Sequence, residues 1–318
     1  MRIVMFMASK YGLDCYKAVK EIENVKIAGI LTTLPHFVLR YEKNKTKEMD
    51  NAIYQDVIEE SEKNGIPVYA AEKMNDEQTV NIVKSWQPDL IVVSGWYHII
   101  KDKILQIPSK GIIGLHSSLL PRYRGGAPLV WQLINGEKKS GITLFYMGEG
   151  TDTGDIIGQK EVEIEENDDI RTLYEKVGEQ GIELLKEYIP QIENNCAPRT
   201  KQEDIEKYKI YPQRKKEDGQ IDWSKSPVDI YNFVRAQTKP YPGAFSIYDG
   251  YQVSIWKCKI VTMEDKSKSA GTIVDITEEG HPVVSTGNAR GGHLVEIIDY
   301  SIQTDDRNMK MEIGKKFI

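Results

Sequence analysis

Apolar residues come in short, near-continuous runs through the first half of the chain. "RIVMFM" (Arg2–Met7), "KIAGILTT" (Lys26–Thr33) and "DLIVVSG" (Asp89–Gly95) do not alternate with polar residues. Runs of this kind predict strands covered on both faces. "GIPVYAA" (Gly65–Ala71), "GIIGLH" (Gly111–His116) and "SGITLFYM" (Ser140–Met147) add three more. Between the runs, apolar residues recur at steps of three and four, the period of a helix packed on one face. Helices are therefore predicted over Leu13–Glu23, Asn51–Gly65, Asp76–Pro88 and Pro128–Lys138, with one long helix over Ile170–Glu193. Gly65 is a C-cap signal, and Pro88 stops the helix before it. Strands alternate with helices, so the expected class is α/β, with a mostly parallel sheet and helices on both faces.

The pattern changes after "NNCAPRTKQEDIEKYKIYPQRKKEDG", a polar stretch without apolar periodicity. A domain junction is expected there, dividing the chain into 1–205 and 206–318. Beyond a helix over Ser226–Gln237, the runs are short strands with turns: "AFSIYDG", "YQVSIWKCKIV", "GTIVDIT", "HPVVSTGN" and "HLVEIIDY". That spacing predicts a small antiparallel, OB-like β-barrel. Leu34–Asp50 reads as a long mobile loop carrying Arg40, Lys43, Lys45 and Lys47. It is either solvated or a flap over an anionic substrate.

Composition narrows the function classes. The 318 residues are 40% apolar and 28% charged, ordinary for a soluble globular protein. A net charge of −6 argues against a chain built to coat nucleic acid or an acidic membrane. No stretch approaches the ~18 apolar residues of a membrane span, and the first apolar run is too short for a signal peptide. Cys15, Cys196 and Cys258 are odd in number and far apart. They form no zinc spacing or disulfide framework, no metal is expected, and a reducing, cytoplasmic setting fits. After the first strand there is a single glycine, Gly12, rather than G-x-G-x-x-G, so a dinucleotide site has weak support.

In parallel α/β sheets, ligands sit beyond the carboxyl ends of the strands. "GIIGLH" delivers His116 to such an end. "GTDTGD" (Gly150–Asp155) follows the next strand, which places Asp152 or Asp155 within reach of His116. A carboxylate that orients an imidazole makes a general acid/base pair; the alternative is a solvated turn of Asp and Gly. In "PRYRGGAP" (Pro121–Pro128), Arg122 and Arg124 suit a phosphate or carboxylate, or simply face water. In "SGWYHII" (Ser94–Ile100), Trp96 and Tyr97 either stack on a flat ligand or join the core.

"LHSSLLPRYRGGAP" together with "GITLFYMGEGTDTGDII" resembles the 10-formyltetrahydrofolate-dependent formyltransferases, a family that includes methionyl-tRNA formyltransferase and amino-sugar N-formyltransferases. "GIPVYA", "QPDLIVVSGWYHII" and "QRKKEDGQIDWSKS…YNFVRAQTKPYPGAF" extend the likeness. The resemblance implies a Rossmann-like catalytic domain with a smaller C-terminal barrel, and N10-formyltetrahydrofolate as co-substrate. It also implies His116 beside the reaction intermediate, with Asp152 as its partner. Ser94, Gly95, Trp96 and Tyr97, with Leu144, Phe145, Tyr146, Met147 and Gly148, would flank the folate. Ser118, Arg122, Tyr123, Arg124 and Gly125 would meet the acceptor.

The family motif is Asn-x-His-x-Ser-Leu-Leu-Pro, and this chain has Gly114 in the asparagine's place. That asparagine is an expected donor to the oxyanion. Either a backbone N–H, water or substrate group replaces it, or the acceptor chemistry differs, or the protein is not a competent transferase; the first is favoured. From residue 206 on there are roughly 17 Lys/Arg against 16 Asp/Glu. This near-neutral balance favours a small-molecule partner, an amino sugar linked to a nucleotide, over tRNA, and "SGWYHII" and "KPYPGAF" look more like the sugar-modifying branch. Methionyl-tRNA formylation is the second expectation, and a catalytically weak folate- or nucleotide-binding protein the third. No membrane partner is expected, and a homodimer is left open.

Overall fold

The computed structural model describes residues 1–42, 45–262, 269–287, 293–304 and 310–318, without the side chains of 39–42, 45–47 and 293. The chain divides into two units. The first comprises Met1–Gly125, Gly141–Val162 and Lys176–Ile210; the second comprises Gly126–Ser140, Glu163–Glu175 and Tyr211–Ile318. A single cut near residue 205 therefore leaves two stretches of the second unit on its N-terminal side.

The elements run in the order β1 (Arg2–Phe6), α1 (Lys10–Val19), β2 (Lys26–Thr33), β3 (His36–Glu42), β4 (Lys45–Asp50), α2 (Tyr54–Asn64), β5 (Val68–Ala71), α3 (Glu77–Ser85), β6 (Leu90–Val93), α4 (Asp102–Leu105), β7 (Ile112–His116), β8 (Arg124–Gly125), α5 (Pro128–Ile134), β9 (Lys139–Tyr146), β10 (Ile156–Glu163) and α6 (Ile170–Glu193). Among the described residues, seven strands of the first unit form one sheet in the order β10-β9-β7-β6-β1-β2-β5. The central strands β1 and β6 are almost wholly buried, which is why their runs do not alternate. Helix boundaries follow local chemistry. The Ser9 hydroxyl caps α1 by accepting from Gly12 N–H, Asp76 caps α3 by accepting from Thr79 N–H, and α2 ends at Gly65 with φ +61°.

The pairs β1–β2, β1–β6, β2–β5 and β6–β7 are parallel. The pair β7–β9 is antiparallel, with Ile113 opposite Tyr146 and His116 opposite Thr143. The sequence reading had β9 continuing the parallel set. A buried apolar run has the same composition whichever way it points, so its direction was not legible.

The expected mobile loop over Leu34–Asp50 is instead a two-stranded hairpin, β3 with β4, in which His36 pairs with Asp50 and Val38 with Glu48. Phe37 anchors it, buried against Tyr97 and His98 with ring centroids 5.6 and 5.7 Å away. The charged second arm, "KTKEMD", lacks the apolar alternation by which a strand is recognised. Lys43 lies outside the described residues, as do the side chains of Arg40, Lys45 and Lys47.

Farther along the chain come β11 (Ile210–Tyr211), α7 (Pro227–Arg235), β12 (Ala244–Tyr248), β13 (Tyr251–Thr262), β14 (Ile273–Ile276), β15 (Pro282–Val284) and β16 (His293–Ile302), all but the first residue of β11 in the second unit. The last five form an antiparallel sheet in the order β12-β13-β16-β15-β14. Its core includes Trp223, Ile230, Tyr248, Ile255 and Phe317. The expected OB-like barrel is not closed: β12 and β14 are edge strands and do not pair with each other. The chain's last residues reach both edges through the isolated bridges Tyr248 with Phe317 and Thr272 with Lys316. Among the described residues, no helix is long and apolar enough to cross a membrane.

Burial pushes the thiols of Cys15 and Cys258 up to about 11 and about 12, whereas Cys196 is exposed. An aromatic disulfide reagent at pH 8 should therefore titrate one thiol in the native protein and all three in denaturant. Two fast native thiols would contradict this packing.

Candidate active site at the end of β7

His116 closes β7 and is only 8% exposed. Its Nε2 lies 2.8 Å from the carbonyl oxygen of Tyr123. A carbonyl only accepts, so Nε2 carries the hydrogen in this arrangement. The other ring nitrogen, Nδ1, faces Asp152 Oδ2 at 3.7 Å. The same carboxylate oxygen accepts the N–H of Gly125 at 2.8 Å. The structure thus brings together His116 and Asp152, while the backbone carbonyl of Asp155 accepts from Tyr146 N–H at 2.8 Å.

The route to this pair differs from the expected one. Because β9 is antiparallel, it ends beside Ile113 rather than beside His116. The loop after Tyr146 must run back along β7 before it delivers Asp152. Asp152 has φ +53°, Tyr123 +57° and Gly125 +98°. Two non-glycine residues in left-handed backbone lie on the two loops that meet at His116, a form of strain that the surrounding hydrogen bonds hold in place.

The loop after His116 is fastened from below by Thr143, directly across from it on β9. The Thr143 hydroxyl donates to Ser118 O at 2.6 Å and accepts from Leu120 N–H at 3.0 Å and Gln159 Nε2 at 2.9 Å. Gln159 Nε2 also donates to Leu120 O at 2.9 Å. Ser118 is wholly buried, and its own hydroxyl donates to Arg122 O at 2.6 Å. The buried Ser118 hydroxyl therefore fastens the loop to itself through Arg122 O. Arg122 is exposed, and its guanidinium lies 5.9 Å from the centroid of the buried Tyr123 ring. Arg124 is buried, donating through Nη2 to Ile205 O at 2.8 Å and Tyr208 O at 3.1 Å. Its guanidinium is thus engaged by backbone.

Gly114 stands two residues before His116, with Val93 on one side and Phe145 on the other. A Cβ built on Gly114 would lie 3.1 Å from Met147 Sδ and 3.3 Å from its Cγ. The Met147 side chain therefore occupies the approach that a larger residue at 114 would need.

The residues expected around folate divide into two groups. Ser94 is buried with its hydroxyl on Cys15 Sγ at 3.1 Å, and Gly95 takes φ +58° and binds Ala8 N–H through its carbonyl. Leu144 and Phe145 are core residues of β9. Nearer the surface, Trp96 tilts against Phe6 at 5.7 Å and meets His98 edge-on at 5.6 Å. Its Nε1 is buried without a hydrogen-bond partner. Desolvation lowers the His98 pKa. Tyr97 packs on Phe37 of the hairpin, Gly148 is exposed, and Tyr146 carries the Arg199 guanidinium 3.8 Å from its ring centroid. Thr143, Gln159, Arg199 and Gln202 were not anticipated. None belongs to a charge pair or a glycine-rich motif, and only the pairing of Thr143 with His116 would have marked one of them.

The family model for formyl transferase matches residues 1–189, and that for the formyl transferase C-terminal domain matches residues 213–310. The chain belongs to the formyl transferase family. As a formyltransferase it takes its one-carbon unit from formyl-tetrahydrofolate, the co-substrate of the family. It is 37% identical to a methionyl-tRNA formyltransferase of Clostridioides difficile over 91% of this chain and 89% of the relative. It is 40% identical to that of Halothermothrix orenii over 70% of this chain and 72% of the relative. Among solved structures, an N-formyltransferase from Helicobacter canadensis, in complex with folinic acid and dTDP-3-aminofucose, shares the fold. Its TM-score is 0.64 at 20% identity, over 93% of this chain and 98% of that one.

Two substitutions test the packing around His116. Thr143→Val keeps the shape but strands buried partners, and should lower stability by about 1–3 kcal/mol in a denaturant melt; an unchanged midpoint would mean that the hydroxyl bonds are dispensable. Gly114→Asn should cost ~1–3 kcal/mol by overpacking, and adding Met147→Ala should recover most of it. An unaltered Tm in the single variant would show that Met147 swings aside freely.

Proposed function

We propose that this formyltransferase moves the formyl group of N10-formyltetrahydrofolate to the α-amino group of methionyl-tRNA. The observation that carries the reading is 37% identity over 91% of the chain with a methionyl-tRNA formyltransferase. This reverses the preference for an amino sugar that the charge balance suggested. Net charge sums over every face of a segment, whereas RNA needs phosphate contacts on one. A balance of roughly 17 against 16 is compatible with a local basic face.

The chemistry suits the site. An α-amino group titrates near pH ~8, so a useful fraction is unprotonated at neutral pH. Its nitrogen attacks the formyl carbon, a C–N bond forms, and the carbonyl oxygen becomes an oxyanion. Collapse breaks the bond to folate N10, which takes a proton, and the new amide nitrogen loses one. Gly114 offers no side-chain donor to the oxyanion. The His116 Nε2–H, now on the Tyr123 carbonyl, is the donor that the incoming substrate would claim. Asp152, facing the opposite nitrogen, sets the ring's orientation. Trp96, with its unpartnered Nε1, and Met147 would border the folate.

The purified protein should be assayed with formyl-tetrahydrofolate and either methionyl-tRNA or a panel of nucleotide-linked amino sugars. Formylmethionyl-tRNA is expected, with binding that weakens as salt rises. Formylation of a sugar nucleotide with none of the tRNA would overturn the reading. His116→Ala should lower kcat/KM by ~10²; near-normal turnover would remove His116 from the mechanism.

A further inference from the structure

We propose that Gln202 is a positioning residue for formyl transfer, holding the Asp152 loop so that the carboxylate stays beside His116. The inference rests on the reading of His116 and Asp152 as the working pair. Gln202 Nε2 donates to Asp152 O and to Gly154 O, each at 2.8 Å. These two carbonyls flank Thr153 at the point where the chain passes through left-handed backbone at Asp152. The neighbouring residues Glu149, Gly150 and Thr151 are exposed, so little packing on that side keeps the turn in place. The Gln202 Oε1 is buried with no hydrogen-bond partner. The amide is therefore placed for its two N–H groups, and an orphaned oxygen is tolerated to keep them there.

Gln202 is held in its turn. Thr200 and Ile156 exchange backbone hydrogen bonds at 2.7 and 2.9 Å, and Arg199 lies on the Tyr146 ring. Farther along, Ile205 O and Tyr208 O accept from Arg124, the residue before the Gly125 N–H that binds Asp152. Residues 199–208 thus form a strap fastened on both sides of the Gly125–Asp152 hydrogen bond. Gly154 is fitted to the same arrangement: a Cβ there would lie 1.6 Å from Tyr146 O.

Gln202→Ala and the isosteric Gln202→Glu, which puts carboxylate oxygens against the two carbonyls, test the proposal. Amide exchange at Gly125 should speed up by tenfold or more in both. The kcat should fall about tenfold or more, with KM for the folate donor within about twofold. In an Asp152→Ala background, Gln202→Ala should cost less than about twofold further, because residues acting through one group are not additive. Unchanged exchange at Gly125, or a full additional loss in that background, overturns the proposal. The exchange measurement does not depend on turnover. If His116→Ala and Asp152→Ala both left transfer intact, the catalytic reading would fall, while exchange at Gly125 would still decide whether Gln202 holds the loop.

Discussion

The antiparallel pairing of β9 against β7 is the constraint from which the site follows. It puts Thr143 directly opposite His116, so one threonine hydroxyl can gather a carbonyl, an N–H and a carboxamide beneath the loop that follows the histidine. It also ends β9 at the wrong end of β7 for a short connection. The chain must return along β7, passing Gly114 with Met147 before it reaches His116 with Asp152. A parallel strand in the same place would have brought its loop directly to the carboxyl edge, without filling the space over Gly114.

One loop supplies the neighbours of both His116 ring nitrogens, directly for Nε2 and through Asp152, 3.7 Å away, for Nδ1. Tyr123 supplies the carbonyl for Nε2, Gly125 supplies the N–H for Asp152, and these residues are two apart on one loop. Moving that loop disturbs both ring nitrogens' neighbours at once. Left-handed backbone at Tyr123 and Asp152 is the local cost of aiming a carbonyl and a carboxylate at one imidazole from two sides. The strap over 199–208 and the fastening at Thr143 resist relaxation of that geometry.

Much of this was legible in the sequence. Near-continuous apolar runs identified the buried strands, and capping residues such as Asp76 and Gly65 marked helix ends. The pairing of His116 with Asp152 followed from the resemblance and from the position of each at the end of a run. What stayed hidden depended on direction, depth or neutral hydrogen bonds. An apolar run does not record which way it points, so β9 was misread. Position beside a strand end does not record depth: the side chains of Ser94, Leu144 and Ser118 are buried. Gln159, Gln202 and Thr143 act through neutral hydrogen bonds, which leave no charge or motif. The hairpin over His36–Asp50 was missed because its second arm is nearly all charged or polar, and the C-terminal barrel was over-read because strand spacing says nothing about whether two edges meet.

The contact between Gly114 and Met147 makes these two positions a single unit of variation. A larger residue at 114 requires the side chain at 147 to give way by a few tenths of an ångström, so across related chains the two residues should change together. The missing side chain at 114 is then an exchange of a polar wall for a polarizable apolar one, rather than a simple loss.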